Sequence, residues 1–248
     1  MKTVALVLFL LLPAGLCANP LADLRASLER FRGQEPVRGR VEIQIWNRTG
    51  EGKKARERAG SGQVQVEDGP QGLRLGWTAA QMQAARQDAL ARAGNPEAAA
   101  PNLDCLKALD AAEASRMLNF ADYLEVLLQG AQVLEDRPEP YQGRPARLLV
   151  LKPEVHVSAE ERDLIKSLET RLKVWLGADG VPLGLEESVA FTGSKFFLTF
   201  RGGRSESTTL ARVGRRLVAL RCTRESNASG MGLSTQGRVV ANLVLAGL

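Results

Sequence analysis

The sequence predicts an α+β protein in which an antiparallel sheet packs one face against amphipathic helices. Residues 171–191 (RLKVWLGADGVPLGLEESVAF) alternate apolar and polar side chains on both sides of Ala178-Asp179-Gly180. This is the pattern of two half-buried strands joined by a tight turn. Residues 37–45 show the cleanest alternation in the chain, and residues 21–31 repeat Leu or Phe at helical spacing. Strands with one apolar face and helices with one apolar stripe bury those surfaces against each other.

The first 18 residues have the three parts of a secretory signal peptide. Lys2 precedes an apolar run at residues 4–12, and Ala18 is a small residue at the predicted cleavage point. The run is shorter than the about 20 apolar residues of a membrane-spanning helix. We therefore expect an exported, periplasmic protein with no transmembrane segment in the mature chain. Lipidation of Cys17 is the alternative, although Leu16 is larger than the residue that normally precedes a lipidated cysteine.

The N-terminal part of the mature chain predicts one helix and two hairpins. Asn19 can cap the helix and Gly33 ends it. Residues 48–62, rich in glycine and charge, predict a long exposed hairpin tip after the first strand. Residues 63–77 then predict a second hairpin around Asp68-Gly69-Pro70.

The middle of the chain predicts a helical insert in the sheet, around residues 79–130. Thr78 caps a helix that runs to about residue 93, and residues 103–130 have apolar positions at helical spacing. No Pro- or Gly-rich linker divides the sequence, so residues 19–248 are expected to form one domain.

The C-terminal part returns to strands. Residues 158–161 (SAEE) match a capping box and predict a short helix ending near Leu168. Residues 226–232 predict a loop. The other strands, separated by turns, are predicted at residues 131–136, 146–151, 195–201, 205–212, 216–224 and 238–245.

The charge pattern bears on the partners of the protein. The net charge is +5, which in a cytosolic protein would suggest nucleic acid. Export argues against that partner, and the basic residues are dispersed apart from residues 53–58 (KKARER). A solvated basic surface is the favoured interpretation, and attraction to anionic lipid headgroups is the alternative.

Two cysteines remain after signal cleavage, Cys105 and Cys222. In an oxidising compartment they could form a disulfide, which by the chain-entropy argument would stabilise the fold by about 4–5 kcal/mol. Two buried free thiols are the equally weighted alternative.

No residue pattern predicts catalysis. His156, the single histidine, lies between a predicted strand and a predicted helix, and no nucleophile motif accompanies it. Glu187 interrupts an otherwise apolar strand face, which predicts a polar point in a cavity or, as the favoured alternative, the edge of the sheet. No spacing typical of a metal site occurs, so the sequence predicts neither an enzyme nor a cofactor.

The order of elements and two segments resemble a known superfamily. The segments are residues 142–150 (QGRPARLLV) and 172–183 (LKVWLGADGVPL). Together they resemble the LolA/LolB-like periplasmic lipoprotein carriers, a superfamily that includes the N-terminal domain of the stress regulator RseB. The resemblance implies a strongly curved antiparallel half-barrel whose concave face is covered by helices, with an apolar cavity between them.

The leading functional hypothesis is therefore non-enzymatic binding of an acyl chain, a lipid or a lipidated partner such as a lipoprotein in the cell envelope. The alternative is a monomeric interaction or structural module whose half-barrel is filled by its own side chains. The candidate cavity-lining residues, each of which is equally suited to an ordinary core, are Val41, Ile43, Ile45, Leu73, Leu75, Val174 and Leu185.

Overall fold

The structure, a computed structural model, describes residues 19–155, 157–158, 162–195, 198–230 and 232–246. The predicted signal peptide with Cys17, and also His156, lie outside these residues. Within them the predicted α+β class is confirmed. The helices are α1 (Pro20–Glu29), α2 (Ala79–Gly94), α3 (Pro101–Ala108), α4 (Ala111–Leu118) and α5 (Phe120–Leu127). The strands are β1 (Val37–Thr49), β2 (Arg56–Asp68), β3 (Arg74–Gly76), β4 (Gln132–Pro138), β5 (Arg147–Lys152), β6 (Ile165–Leu176), β7 (Pro182–Lys195), β8 (Leu198–Val213), β9 (Arg216–Gly230) and β10 (Leu233–Leu245).

All ten strands belong to one open antiparallel sheet, in the order β3-β2-β1-β10-β9-β8-β7-β6-β5-β4. Strands β4 to β10 follow one another as a meander, and β1 joins it by pairing with β10, from Gly39 opposite Leu245 to Thr49 opposite Thr235. The short β3 and the exposed β4 form the two edges.

Local signals in the sequence place the helix starts. The Asn19 side chain accepts hydrogen bonds from the first backbone N–H groups of α1. Thr78 and Gln81 form a reciprocal capping box at α2, because each side chain accepts from the backbone N–H of the other. Both helix starts were predicted.

The helices cover one face of the sheet, which we call the inner face. The helix side chains Leu24, Leu28, Met117, Phe120 and Leu124 are at most 1% exposed and belong to the same core as the inner-face side chains of the strands. One continuous apolar core therefore joins the two layers.

The hairpin predicted at residues 171–191 is confirmed. Strands β6 and β7 pair, Gly177 donates to the carbonyl of Val181 at 2.8 Å, and Gly180 has a positive φ of 75°. On the outer face Trp175 packs against the Tyr141 ring with centroids 5.3 Å apart. At Trp175 both sides of β6 are thus covered, as expected for a strand inside the sheet.

Three predicted turns or loops include residues that lie in strands, because glycines were interpreted as turn residues, although the tip predicted at residues 48–62 does connect β1 and β2 at residues 50–55. Residues 56–62 lie in β2, residues 202–204 in β8 and residues 226–230 in β9. A Cβ on Gly60 would lie 2.9 Å from the Cβ of Pro101, and one on Gly202 would lie 2.6 Å from the Phe191 ring. These glycines stay in extended strands and make room for a neighbouring side chain.

The short helix predicted to end near Leu168 is also wrong over its last residues. Residues 165–168 already belong to β6, with Ile165 opposite Gly193 and Leu168 opposite Phe191. Pairing with β7 outweighs the local capping signal.

Among the described residues, no helix has both the length and the hydrophobicity to cross a membrane.

Candidate functional site

The predicted cavity-lining residues lie on the inner face, beneath the helices. Val41, Ile43, Val174 and Leu185 are at most 1% exposed, Ile45 is 6% exposed, and Leu73 and Leu75 are partly buried against the same core. The four side chains that are at most 1% exposed border no space large enough for a water molecule. This part of the inner face is therefore packed core rather than the wall of an open cavity.

A cluster of charged side chains, which we call the ionic cluster, lies beside this packed core. Glu206 on β8 is at its centre, with a side chain only 1% exposed. It contacts Arg116 from α4, accepts from Arg224 Nε on β9 at 3.0 Å, and accepts from Arg204 at 3.1 Å. Glu113 completes the cluster from α4. The helix layer and the sheet are thus joined by charge as well as by apolar contact.

The geometry of the ionic cluster follows from helix and strand spacing. Glu113 and Arg116 are three residues apart on α4 and share one face, with Arg116 Nη2 2.6 Å from Glu113 Oε1. Glu206 and Arg224 are directly opposite in the β8–β9 register, so their side chains share the inner face. Arg224 also donates to both oxygens of Glu113 at 3.1 Å.

Glu187, which the sequence analysis favoured as a sheet-edge residue, lies in the interior of the sheet. It is opposite Leu172 on β6 and Glu206 on β8. Its carboxylate accepts a hydrogen bond at 3.1 Å from Tyr123 of α5, whose ring carries the Arg116 guanidinium 4.8 Å from its centroid. The edge interpretation is wrong because β7 has a partner on both sides.

The surroundings fix the protonation of these groups. The pKa of the Glu206 carboxyl lies below its usual value, because burial, which would raise it, is outweighed by the guanidinium groups of Arg116 and Arg224. Burial and the neighbouring carboxylate of Glu187 raise the pKa of the Tyr123 hydroxyl. At neutral pH Glu206 is therefore charged, and the Tyr123 hydroxyl is an un-ionised donor.

A second polar group, the Asp68 cluster, joins the α4–α5 junction to the end of the sheet. Arg216 of β9, only 2% exposed, contacts the Asp68 carboxylate and the Asn119 side-chain oxygen and donates to the Glu35 carbonyl at 2.8 Å. Asn119 in turn donates to Asp68 at 3.0 Å. The pKa of Asp68 lies below its usual value, because burial, which would raise it, is outweighed by the hydrogen bonds from Asn119 and Arg216.

The inner face continues beyond the ionic cluster as an apolar strip made of Leu168, Val189, Phe191 and Phe200. These side chains share the face of Glu187 because β7 and β8 run in unbroken register, with Gly193 opposite Phe200 and Gly202 opposite Phe191. The two rings are 6.4 Å apart and meet at an edge-to-face angle. All four side chains remain partly exposed, so apolar surface is accessible on the face that the helices cover elsewhere.

Both described cysteines carry free, buried thiols, which is the second of the two alternatives that the sequence left open. Cys105 of α3 faces β2, where a Cβ on Gly62 would lie 3.3 Å from its own. Cys222 of β9 lies in the core near Thr208, with 3.8 Å between the sulfur and the hydroxyl oxygen.

Sequence reasoning missed both polar clusters, although one signal was present. Glu113 and Arg116 look like an ordinary pair on a helix surface, and Glu206 lies in a polar run. The signal was Glu187, which interrupts the apolar row at the boundary between the apolar core and the ionic cluster.

The described residues contain no group of three or more His, Cys, Asp or Glu side chains arranged to hold a metal ion. The chain matches no model of a known protein family and no curated protein sequence at a significant level.

Proposed function

We propose that this chain is a non-enzymatic protein of the cell envelope that binds an acyl chain, a lipid or a lipidated partner between its helix layer and its sheet. In this proposal the sheet is the strongly curved half-barrel of the LolA-like carriers, and the helices cover its concave face. The location rests on residues 1–18 acting as an export signal.

The observation that carries the proposal is the apolar strip. Four apolar side chains, two of them aromatic, stay partly exposed on the face that elsewhere forms the core. Burying apolar surface is worth about 25 cal/mol per Å², so such a strip favours an apolar occupant. An acyl chain laid on Phe191 and Phe200 would extend toward the packed core.

The ionic cluster lies between the strip and the core, and it supports a helix layer that can separate from the sheet. The attraction within a buried ion pair is largely offset by the cost of removing both ions from water. Separation returns water to Arg116 and Glu206, so that cost is recovered when the layers part. A contact of equal area made only of apolar side chains would recover no favourable hydration free energy when the two layers separate.

Two variants on neighbouring residues of β7 test the proposal. Val189 faces the strip, whereas Ala190 faces outward and is exposed. We expect Val189→Lys to weaken uptake of a fluorescent fatty acid at least about tenfold, because a charge beside an acyl chain loses its hydration. Ala190→Lys should leave uptake unchanged. Equal uptake by both variants, or no uptake and no acyl ligand in a native mass spectrum of the wild type, would refute acyl binding.

The packing of the predicted lining residues favours a second candidate. Val41, Val174 and Leu185 fill the inner face in the way a purely structural core does. The chain would then be an interaction module that holds no small ligand and contacts a protein partner through its surface. A wild-type protein that neither carries nor takes up an acyl ligand would leave this candidate standing.

A further inference from the structure

A basic groove lies on the inner face at the end of the sheet formed by β1, β2 and β10. Its volume is about 830 Å³. Lys54, Arg56 and Arg58 come from the β1–β2 turn and the start of β2, whereas Arg92 and Lys107 come from α2 and α3. The fold thus brings the cations at residues 54–58 together with Arg92 and Lys107, which lie at least 34 residues further along the sequence.

The groove carries more positive charge than its own carboxylates neutralise. Five cationic and two acidic side chains line it, which gives a net charge of +3. Asp104 is engaged by Arg92 through two hydrogen bonds of 2.7 and 2.9 Å. Glu97 is shared by Arg56 at 2.7 Å and Arg58 at 3.5 Å.

The positive charge that the carboxylates of the groove leave unpaired belongs to two lysines. Neither Lys54 nor Lys107 contacts a carboxylate among the described residues, and both are exposed. Ammonium and guanidinium groups that converge on one opening bind phosphate through charge-assisted hydrogen bonds. The groove is therefore suited to an anion with several acceptor oxygens.

The floor of the groove identifies the kind of molecule that carries the anion. It contains the apolar side chains of Ile45 and Val239, which lie opposite each other in the β1–β10 register. Ile45 belongs to the buried core, and Val239 packs against it. A cationic rim above a floor that leads into the core matches a molecule with a charged head and an apolar tail.

We propose that the basic groove binds the phosphate-bearing headgroup of an anionic amphiphile. This inference rests on the proposed function, because the tail of the amphiphile would occupy the inner face. From the sequence, attraction to anionic headgroups is the alternative interpretation of the dispersed basic residues. The proposal assigns that attraction to one place on the fold, the basic groove.

The test uses vesicles of phosphatidylcholine with and without about a quarter phosphatidylglycerol, and the double variant Lys54→Gln/Lys107→Gln. Each lysine near an anionic surface is worth about 1 kcal/mol, so we expect affinity for the anionic vesicles to fall about 30-fold. The control is Lys53→Gln/Lys166→Gln, which removes the same charge from exposed positions outside the groove. Equal losses of vesicle affinity in the two double variants would refute the groove as the binding site, since the net charge of the protein would then explain binding.

Two further measurements separate the outcomes. Binding of inorganic phosphate measured by calorimetry, without binding to anionic vesicles, would overturn a lipid source for the phosphate. Fatty-acid uptake is measured on the same proteins. Wild-type uptake without any preference for anionic vesicles would refute this inference alone, whereas anionic preference that depends on Lys54 and Lys107, without uptake, would refute the proposed acyl function and leave the headgroup site.

Discussion

Replacing Glu206 with glutamine tests whether the buried arginines of the ionic cluster need its charge in the folded state. The amide keeps the shape of the side chain and removes the charge that Arg116, Arg204 and Arg224 share. Removing one member of a buried ion pair costs about 3–5 kcal/mol, since it leaves the partner charge buried and unpaired. We expect about 3 kcal/mol, the lower end, because Glu113 still contacts two of the guanidinium groups and Arg204 is 46% exposed.

The assay is urea unfolding at pH 7, with Glu186→Gln as the matched control. Glu186 lies on the outer face of β7 and pairs with Lys173 at 3.0 Å, with half of its side chain exposed. An exposed pair of this kind contributes about 0–1 kcal/mol. If Glu206→Gln lowers the free energy of unfolding no more than Glu186→Gln does, the dependence of the folded state on the Glu206 charge is refuted.

The same variant tests how the contribution of Glu206 to stability changes with pH. The pKa of Glu206 is lower in the folded protein than its usual value of 4.5. Its contribution to stability is therefore fully present above that value, and it is lost as the pH falls from the unfolded pKa through the folded one. The difference in unfolding free energy between wild type and Glu206→Gln should shrink over this acid range. A difference that stays constant down to the folded pKa would contradict the assignment.

Three other predictions concern the buried interior. Burial raises the pKa values of Cys105 and Cys222 to about 11, so a thiol reagent at pH 8 should label both only after unfolding; labelling that requires prior reduction would contradict the free thiols. Phe120→Ala should lower the free energy of unfolding by about 3–5 kcal/mol because the ring is fully buried, and the exposed control Val126→Ala should cost far less; similar losses in calorimetric melting would disprove the packing. Tyr123→Phe removes a hydrogen bond to a carboxylate and should cost about 1.5–3 kcal/mol in urea unfolding, whereas an unchanged midpoint would count against that bond.

The sequence predicts the strands and helices well because their signals are local. The alternation in residues 171–176 is a property of six neighbouring residues, and the capping box at Thr78 needs only four. These signals do not depend on the rest of the chain. The hairpin of β6 and β7 and the start of α2 are therefore where the sequence predicts them.

The errors arise where distant residues decide the outcome. Gly60 and Gly202 look like turn residues, and only the approach of Pro101 and Phe191 shows why they lie inside strands. The ionic cluster depends on α4 crossing β8 and β9, which no local pattern encodes. The lining residues could be assigned to the inner face, but whether that face holds a cavity or a packed core depends on how closely the helices approach it.

The pairing of β1 with β10 has a consequence for the order in which the protein folds. Gly39 lies opposite Leu245, so the first and last strands of the described chain are neighbours in the sheet. Strands β1 to β3 have no other connection to the meander than β10. An emerging chain can assemble β4 to β9 as successive hairpins, but its first three strands must wait until the last one arrives. Such long-range pairing slows folding and leaves the edges of β1 and β9 unpaired until β10 has been made.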